Sequence, residues 1–371
     1  MISREEITKI LTYAAMAPSG SNSQPWKFRV LENRIDVIAL PEKDHPVLNI
    51  QNRGTWVAHG ALLENLSIAA SALGYNADIT IFPDINSPNL TARVMIEKKQ
   101  SLSESLFEAI PKRVTNRKPY QKTPLSVKEK ELLQQHASIL HNRAQLFLIE
   151  NSKKLETLGS ALAVNEIVML ENKTLHRLFF DEIVWTKKEE QEKKSGLYLK
   201  TMELEAPKEK ILKILRHWPI MRIANALGFA RKAVAADNAK MYASCAAMGL
   251  ITVSNEDRAF IDAGRLMERI WLQATSMSLG FQLVTGVLFL KQGIDRGNTA
   301  KLSDEHLMFI REAYQTILNA FSPLGGSRLA EDGESRRVTP KWIPAVLFRI
   351  GNSAPPTAYS SKKLPDIEFV S

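Results

Sequence analysis

The chain has 371 residues, 44% of them hydrophobic and 24% charged, with 49 Lys and Arg against 40 Asp and Glu, a net charge of +9. That composition belongs to an ordinary folded protein with room for two or three cores of roughly 150 residues each, and it excludes wholesale disorder. A single cysteine, Cys245, excludes internal disulfides and thiolate zinc sites, and its apolar neighbours mark it as a small core residue rather than a nucleophile.

In chain order, Ser3 and Glu6 form a capping box, and Ile7, Ile10, Leu11, Ala14 and Ala15 recur at helical spacing, so a helix is predicted to end before Pro18. The opening residues show neither a basic stretch nor an apolar core, which predicts a cytoplasmic protein without a leader. A polar loop, Ala17-Pro-Ser-Gly-Ser-Asn-Ser-Gln-Pro-Trp26, precedes a hairpin of Lys27–Leu31 and Arg34–Ala39. Gly60 opens a second predicted helix with Leu62, Leu66, Ala69 and Leu73 on one face, closed by Gly74. Thr91–Glu97 reads as a strand. From about Phe107 the pattern restarts: a short helix over Leu106–Ile110, a helix after Ser126 through His136, and a strand over Gln145–Glu150.

Gly264–Phe281 then repeats the logic of Gly60–Tyr75, each a helix closed by Leu-Gly-aromatic with an arginine upstream (Arg53, Arg258). Thr186–Ala235, long, charged and helix-prone, has no counterpart in the first part of the chain. The expected division is 1–106 and 107–371, with a helical insertion and candidate lid at about 186–235.

The positive charge does not form one block. Lys187, Lys188, Lys193 and Lys194 alternate with Glu189, Glu190 and Glu192, as on a solvated helix face, and no basic stripe with interleaved aromatics is present. No nucleic-acid or membrane partner is expected, and a compact anion such as phosphate suits the charge better. No G-x-G-x-x-G, P-loop, G-x-S-x-G or H-E-x-x-H motif occurs, and the seven histidines lack ligand spacing, so no metal is expected.

Three segments stand out. Ala17–Trp26 can present backbone N–H groups and side-chain donors to a planar heterocycle. In Ala109–Pro119, Arg113, Thr115 and Arg117 alternate, so an extended segment would place them in a row suited to a phosphate. The tail Tyr359-Ser-Ser-Lys-Lys-Leu-Pro365 offers two further cations. Taken singly, these segments also read as a turn, an exposed basic edge and a soluble tail.

Together, and in this order, they resemble the nitroreductase family of FMN-dependent oxidoreductases, in particular its tandem Acg-like members. The likeness also takes in the Gly60–Tyr75 helix, Gly280-Phe-Gln-Leu-Val-Thr-Gly286 and Arg349-Ile-Gly351, and its most specific string is Ala-Pro-Ser-x-x-Asn-x-Gln-Pro-Trp. The resemblance implies an α+β fold, two tandem halves forming an intramolecular pseudo-dimer with mixed sheets flanked by helices, and one FMN per chain. The loop stands only in the first half and the arginine row only in the second, where His136–Asn142 replaces a loop.

The resemblance further implies that Arg113, Thr115, Lys362 and Lys363 hold the phosphate and ribityl chain, with Arg117 at the pyrimidine edge. Pro18, Ser19, Gly20 and Asn22 would contact the ring from the other half, and Val284, Thr285 and Gly286 would lie near its hydride-accepting nitrogen. The implied activity is NAD(P)H oxidation with a small electron-poor acceptor, the chemistry residing on the flavin and no catalytic side chain standing out. The implied monomer is an internal pseudo-dimer, free to dimerise further. The alternatives are a protein that binds or sequesters FMN without efficient turnover and, more remotely, a nucleic-acid-associated protein.

Overall fold

The computed structural model describes residues 2–44, 48–99, 104–139, 143–299, 301–322 and 342–370. His45 and residues 140–142 of the 136–142 segment lie outside them.

The chain begins with α1 (Arg4–Ala14), whose predicted capping box is formed: Ser3 Oγ accepts from Glu6 N at 3.2 Å, and Glu6 accepts from Ser3 N at 2.9 Å. Strands β1 (Trp26–Leu31) and β2 (Arg34–Ala39) make the expected hairpin, with Trp26, Phe28 and Val30 turned into the core. Next come α2 (Arg53–Ala72), β3 (Tyr75–Ile81) and β4 (Leu90–Lys98). A 3₁₀ turn over Phe107–Lys112, α3 (Val127–Ile139) and β5 (Ala144–Ile149) follow.

Helices α4 (Ser152–Leu162), α5 (Val164–Glu171) and α6 (Lys173–Glu182) lead to the insertion. Thr186–Ala235 is not a single helix. It is bounded by β6 (Ile183–Val184) and contains α7 (Lys187–Lys193), β7 (Leu197–Tyr198), α8 (Ala206–Leu215) and α9 (Trp218–Ala226). Left-handed Lys194, Glu203 and Gly228 break it, as does Pro219 at the start of α9. The chain closes with α10 (Ala235–Ala243), β8 (Ala247–Val253), α11 (Asp257–Ser276), β9 (Gly280–Leu283), α12 (Gly286–Asp295), α13 (Asp304–Phe321), β10 (Ile343–Gly351) and β11 (Ile367–Val370).

The fold is α+β. One sheet has the order β11-β1-β2-β4-β3 and the other β5-β8-β10-β9, while β6 and β7 pair separately in parallel. Every residue of β8 and β10 is buried, which accounts for their apolar sequences, broken only by Thr252 in β8 and Arg349 in β10. The last strand, β11, returns to the first sheet and pairs in parallel with β1, Phe28 opposite Ile367. It thereby ties the tail to the loop that precedes β1.

Helices α2 and α11 form the centre of the molecule. Sixteen of the twenty residues of α2 are buried, so it is enclosed nearly all round, and it starts at Arg53 rather than at Gly60. Gly60 serves packing instead. A Cβ on Gly60 would lie 2.1 Å from Ile261 O, and one on Gly264 would lie 2.0 Å from Val57 O. The contact is reciprocal, the same three-residue step on each helix (Val57 to Gly60, Ile261 to Gly264), and only glycine permits it.

Candidate functional site

The Ala17–Trp26 loop is held under backbone strain. Ser21, Asn22 and Gln24 have φ of 44°, 57° and 54°. Asparagine tolerates this region, whereas serine and glutamine are disfavoured there by about 1 kcal/mol each. Side-chain bonds fix the conformation: Ser19 Oγ accepts from Gln24 N at 2.9 Å, and Ser23 bonds Asp44. Burial pushes the Asp44 carboxyl up, against the bonds from Ser23 and Thr55. Pro18 is half-buried and Gly20 lies exposed at the tip.

Two cations from distant parts of the chain converge on the start of this loop. Arg113 Nη2 donates to Met16 O at 2.8 Å, and Lys362 Nζ donates to the next carbonyl, Ala17 O, at 2.7 Å. Arg113 also lies 3.2 Å from Glu268 Oε1, with the arginine side chain 7% exposed and the glutamate 0%. Its guanidinium stacks 4.5 Å over Trp271, which stacks in turn on Phe281.

Glu268 is the α11 counterpart of Glu64 on α2, each four residues after the crossing glycine. Glu64 receives Arg265 at 2.8 Å and Arg269 at 2.5 Å. Burial would raise its carboxyl, but the two arginines together hold it below the usual value. Among the described residues Glu268 has Arg113 as its single ion-pair partner, with Asn65 as a neutral side-chain partner beside it. Burial therefore wins and pushes its carboxyl up to about 7, Arg113 opposing. Lys362 is pushed down to about 7, first by burial and then by Arg113, with Glu268 opposing. The cluster thus holds two basic groups, the buried Arg113 guanidinium and half-buried Lys362, and one buried acid, an arrangement suited to an anion.

The other end of the row lies toward the insertion. Arg117 Nη1 donates to Thr201 O at 3.0 Å, and Thr115 between the arginines makes no side-chain hydrogen bond among the described residues. The intervening Asn116 is buried and anchors the segment, bonding Phe281 O and Ala354 O. Val284 N donates to Leu347 O at 2.8 Å, Thr285 precedes α12, and a Cβ on Gly286 would lie 2.2 Å from Asn165 Oδ1. Asn165 and Tyr242 both donate to Glu166 Oε1, at 3.1 and 2.8 Å, while Glu166 Oε2 is buried with no hydrogen-bond partner among the described residues. Burial pushes the Glu166 carboxyl up to about 7 and, with Glu166, the Tyr242 hydroxyl well up.

Residues 182–203 lie across the loop and the tail as a strap. Ser21 Oγ donates to Glu182 at 2.5 Å, and Asn22 and Gln24 donate to Lys194 O at 3.3 and 2.7 Å. Glu190 accepts from Ser361 N, and Glu203 accepts from Thr357 N at 2.7 Å. Asn22 also bonds Ser361 O, and Gln24 Oε1 accepts from the backbone of Lys363, whose side chain is exposed.

The structure therefore brings Pro18–Gln24, Arg113 and Lys362 together, and ties Arg117 to the insertion. Sequence reading did not single out Glu268, Glu166, Asn165 or Tyr242. Only Glu268 had a signal, the shared Gly-x-x-x-Glu of Gly60–Glu64 and Gly264–Glu268. Arg349, noted only as part of a motif, is fully buried, lies 3.9 Å over the Tyr120 ring and donates to Lys118 O beside the row.

Residues 1–46 match the family model described as Nitroreductase family. The Mycobacterium tuberculosis (strain H37Rv) protein named "Putative NAD(P)H nitroreductase Rv3131" is 28% identical over 33% of this chain and 36% of its own. The protein of the same strain named "Putative NAD(P)H nitroreductase acg" is 25% identical over 33% of this chain and 38% of its own. The matched part thus spans about a third of the length of these relatives. Among solved structures, one described as a putative nitroreductase from Anabaena variabilis covers 94% of this chain and 88% of its own, with 11% identity and a TM-score of 0.47. A nitroreductase with bound FMN from Desulfitobacterium hafniense covers 71% of this chain and 96% of its own, with 10% identity and a TM-score of 0.34. The chain is thus similar to the nitroreductase family, a likeness carried by residues 1–46 and by these relatives.

Proposed function

We propose that this chain is an FMN-dependent oxidoreductase of nitroreductase type, taking hydride from NAD(P)H and passing reducing equivalents to a small electron-poor acceptor. The observation that carries the reading is the convergence of Arg113 and Lys362 on the consecutive carbonyls of Met16 and Ala17, with Glu268 the only acid paired to Arg113 among the described residues. Two basic groups, buried Arg113 and half-buried Lys362, facing one acid fit a cofactor phosphate. In this reading Arg113 and Lys362 hold the phosphate and the strained Pro18–Asn22 loop contacts the ring. Thr115 and Lys363 lie along the ribityl chain, Arg117 lies at the pyrimidine edge, and Val284–Gly286 lie beside the reacting edge.

Bound FMN would supply hydride acceptance and electron transfer. The chain's own contribution is placement and charge. Arg117 offers a fixed cation that favours a reduced, anionic ring. Gly286 keeps the backbone accessible where a side chain would collide with Asn165. The reciprocal crossing of α2 and α11 supports a reading as two tandem halves, 1–106 and 107–371, packed as an internal pseudo-dimer with one cofactor between them.

The strap favours a second reading, FMN binding without efficient turnover. Residues 182–203 engage Ser21, Asn22, Gln24 and Arg117 and so tie the loop and the arginine row to the insertion. One experiment separates the possibilities. The purified chain is expected to show a flavin absorbance of one FMN per chain that bleaches when NADPH is added without air. Two flavins per chain overturn the single shared site, no flavin affinity overturns both readings, and bound flavin that NADPH does not bleach selects the second.

A further inference from the structure

Helices α8 and α9, joined by Arg216 and His217, carry apolar side chains that no described residue covers. Among the described residues, five of the eleven exposed large hydrophobic side chains fall between Ile211 and Leu227. Ile211 and Ile214 lie one turn apart on α8, and Ile220 and Ile223 one turn apart on the next helix, with Leu227 one turn further on. Ile223 and Leu227 are 63% and 78% exposed, the largest values in this stretch.

The same stretch is strongly basic: residues 206–232 contain seven Lys and Arg and one acid. Lys208 is taken by Asp237, and Arg231 by Glu171 and Glu305. Lys210, Lys213, Arg222 and Lys232 make no ion pair among the described residues and are exposed or partly exposed. Arg222 and Lys232 line an open cavity of about 540 Å³ together with Leu227 and Trp218, its acids Glu171 and Glu305 already bound by Arg231.

We propose that the α8–α9 hairpin docks the protein onto an anionic lipid surface, Ile211, Ile214, Ile220, Ile223 and Leu227 entering the headgroup boundary and the unpaired cations meeting lipid phosphates. Apolar residues flanked by Lys and Arg are what an interfacial helix requires. A second copy of the chain is a poor occupant, since it would oppose one cationic face with another. A soluble polyanion would satisfy the cations and leave the five aliphatic side chains in water. No described helix is long and apolar enough to cross a membrane, so the contact is peripheral. It departs from the sequence expectation of no membrane partner, and it does not depend on the flavin.

The test is co-sedimentation of the full chain with vesicles of phosphatidylcholine alone or mixed with phosphatidylglycerol. Binding is expected only to the mixed vesicles, weakening with salt. Ile223→Asp with Leu227→Asp is expected to lower the partition by about tenfold or more. The Lys210→Gln, Lys213→Gln, Arg222→Gln triple variant is expected to lower it about a hundredfold. The charge variant leaves the apolar residues intact, so it still decides the matter if the aspartate variant misfolds. The proposal is overturned by absence of lipid-dependent sedimentation, or by sedimentation that both variants retain. It is equally overturned by heparin binding that matches vesicle binding and ignores Ile223 and Leu227, or by self-association that Leu227→Asp abolishes in a protein that ignores vesicles.

Discussion

Glu268 and Glu64 stand at matching places on the two central helices, each one turn past a crossing glycine, yet Glu64 receives two arginines and Glu268 only Arg113. The missing partners are explained by the opposite helix, which has Ala61 and Asn65 at the steps where α11 has Arg265 and Arg269. Into that space come Arg113 and the tail. The asymmetry turns an internal ion-pair network on one side into an under-neutralised basic cluster on the other.

Arg113→Ala is therefore expected to weaken FMN binding by roughly tenfold to a hundredfold, the worth of a charge-assisted contact. Glu268→Gln is expected to strengthen it, by removing the acid that competes for Arg113. Titration of the apoprotein with FMN, followed by flavin fluorescence, checks both. Glu268→Gln weakening binding as much as Arg113→Ala would show that the acid positions the arginine rather than competing for it.

Arg117→Ala has a different expected signature. Its guanidinium donates to Thr201 O and lies away from the Arg113–Lys362 cluster. The variant should keep most of the FMN affinity while lowering the reduction potential of the bound flavin, measured by equilibration against redox dyes. An unchanged potential with an affinity loss equal to that of Arg113→Ala would refute the division of roles.

Much of this was legible in the sequence, for local reasons. The capping box at Ser3, the alternation in Trp26–Leu31 and the Ala17–Trp26 string depend on neighbours in the chain, and they were read where they stand. Gly60 was misread as a helix start because a glycine needed for close approach and a glycine at a helix boundary look alike until the partner, Gly264, is in place. Thr186–Ala235 was read as one helix-prone block because its left-handed breaks at Lys194 and Glu203 fall on residues with no turn signal. The Glu166–Asn165–Tyr242 group was invisible because it joins two elements far apart in sequence, and no spacing announces it.

The helix crossing should be intolerant of any side chain. Gly60→Ala or Gly264→Ala would drive a methyl group to about 2 Å from a backbone oxygen that cannot rotate away. Each change is expected to cost about 3 kcal/mol or more through separation of α2 and α11, read as a lower urea midpoint. Wild-type midpoints in both variants would mean that the helices cross further apart than the structure shows.

If the strap closes the site, untying it should affect exchange. Glu190 and Glu203 accept backbone N–H bonds from Ser361 and Thr357, and Glu190→Ala with Glu203→Ala removes both ties. Bound FMN is then expected to exchange about tenfold faster or more, and NAD(P)H oxidation with small quinones to speed up. Shortening Thr186–Ala235 should have the same direction of effect. Unchanged exchange and turnover in both proteins would make the insertion decoration with respect to the flavin.

Stability should pass through a dip near neutral pH that two substitutions can separate. Burial raises the carboxyls of Glu166 and Glu268 from 4.5 to about 7, so between those values the folded chain holds protons that the unfolded chain has released. Stability from these groups therefore falls as pH rises from 4.5 to about 7, by on the order of 3 kcal/mol each. Lys362 runs the other way. Its amine is lowered from 10.5 to about 7, so the unfolded chain holds the extra proton and stability rises with pH across that window. Groups elsewhere tilt the whole curve, and differences between wild type and variant remove them. Glu166→Gln keeps an acceptor for Tyr242, and its urea midpoint should gain on wild type steadily between pH 5 and 7. Lys362→Met should gain on wild type toward low pH and lose that advantage as pH rises above 7. Curves for Glu166→Gln and wild type that stay parallel from pH 5 to 7 would show that Glu166 titrates as an ordinary exposed carboxylate.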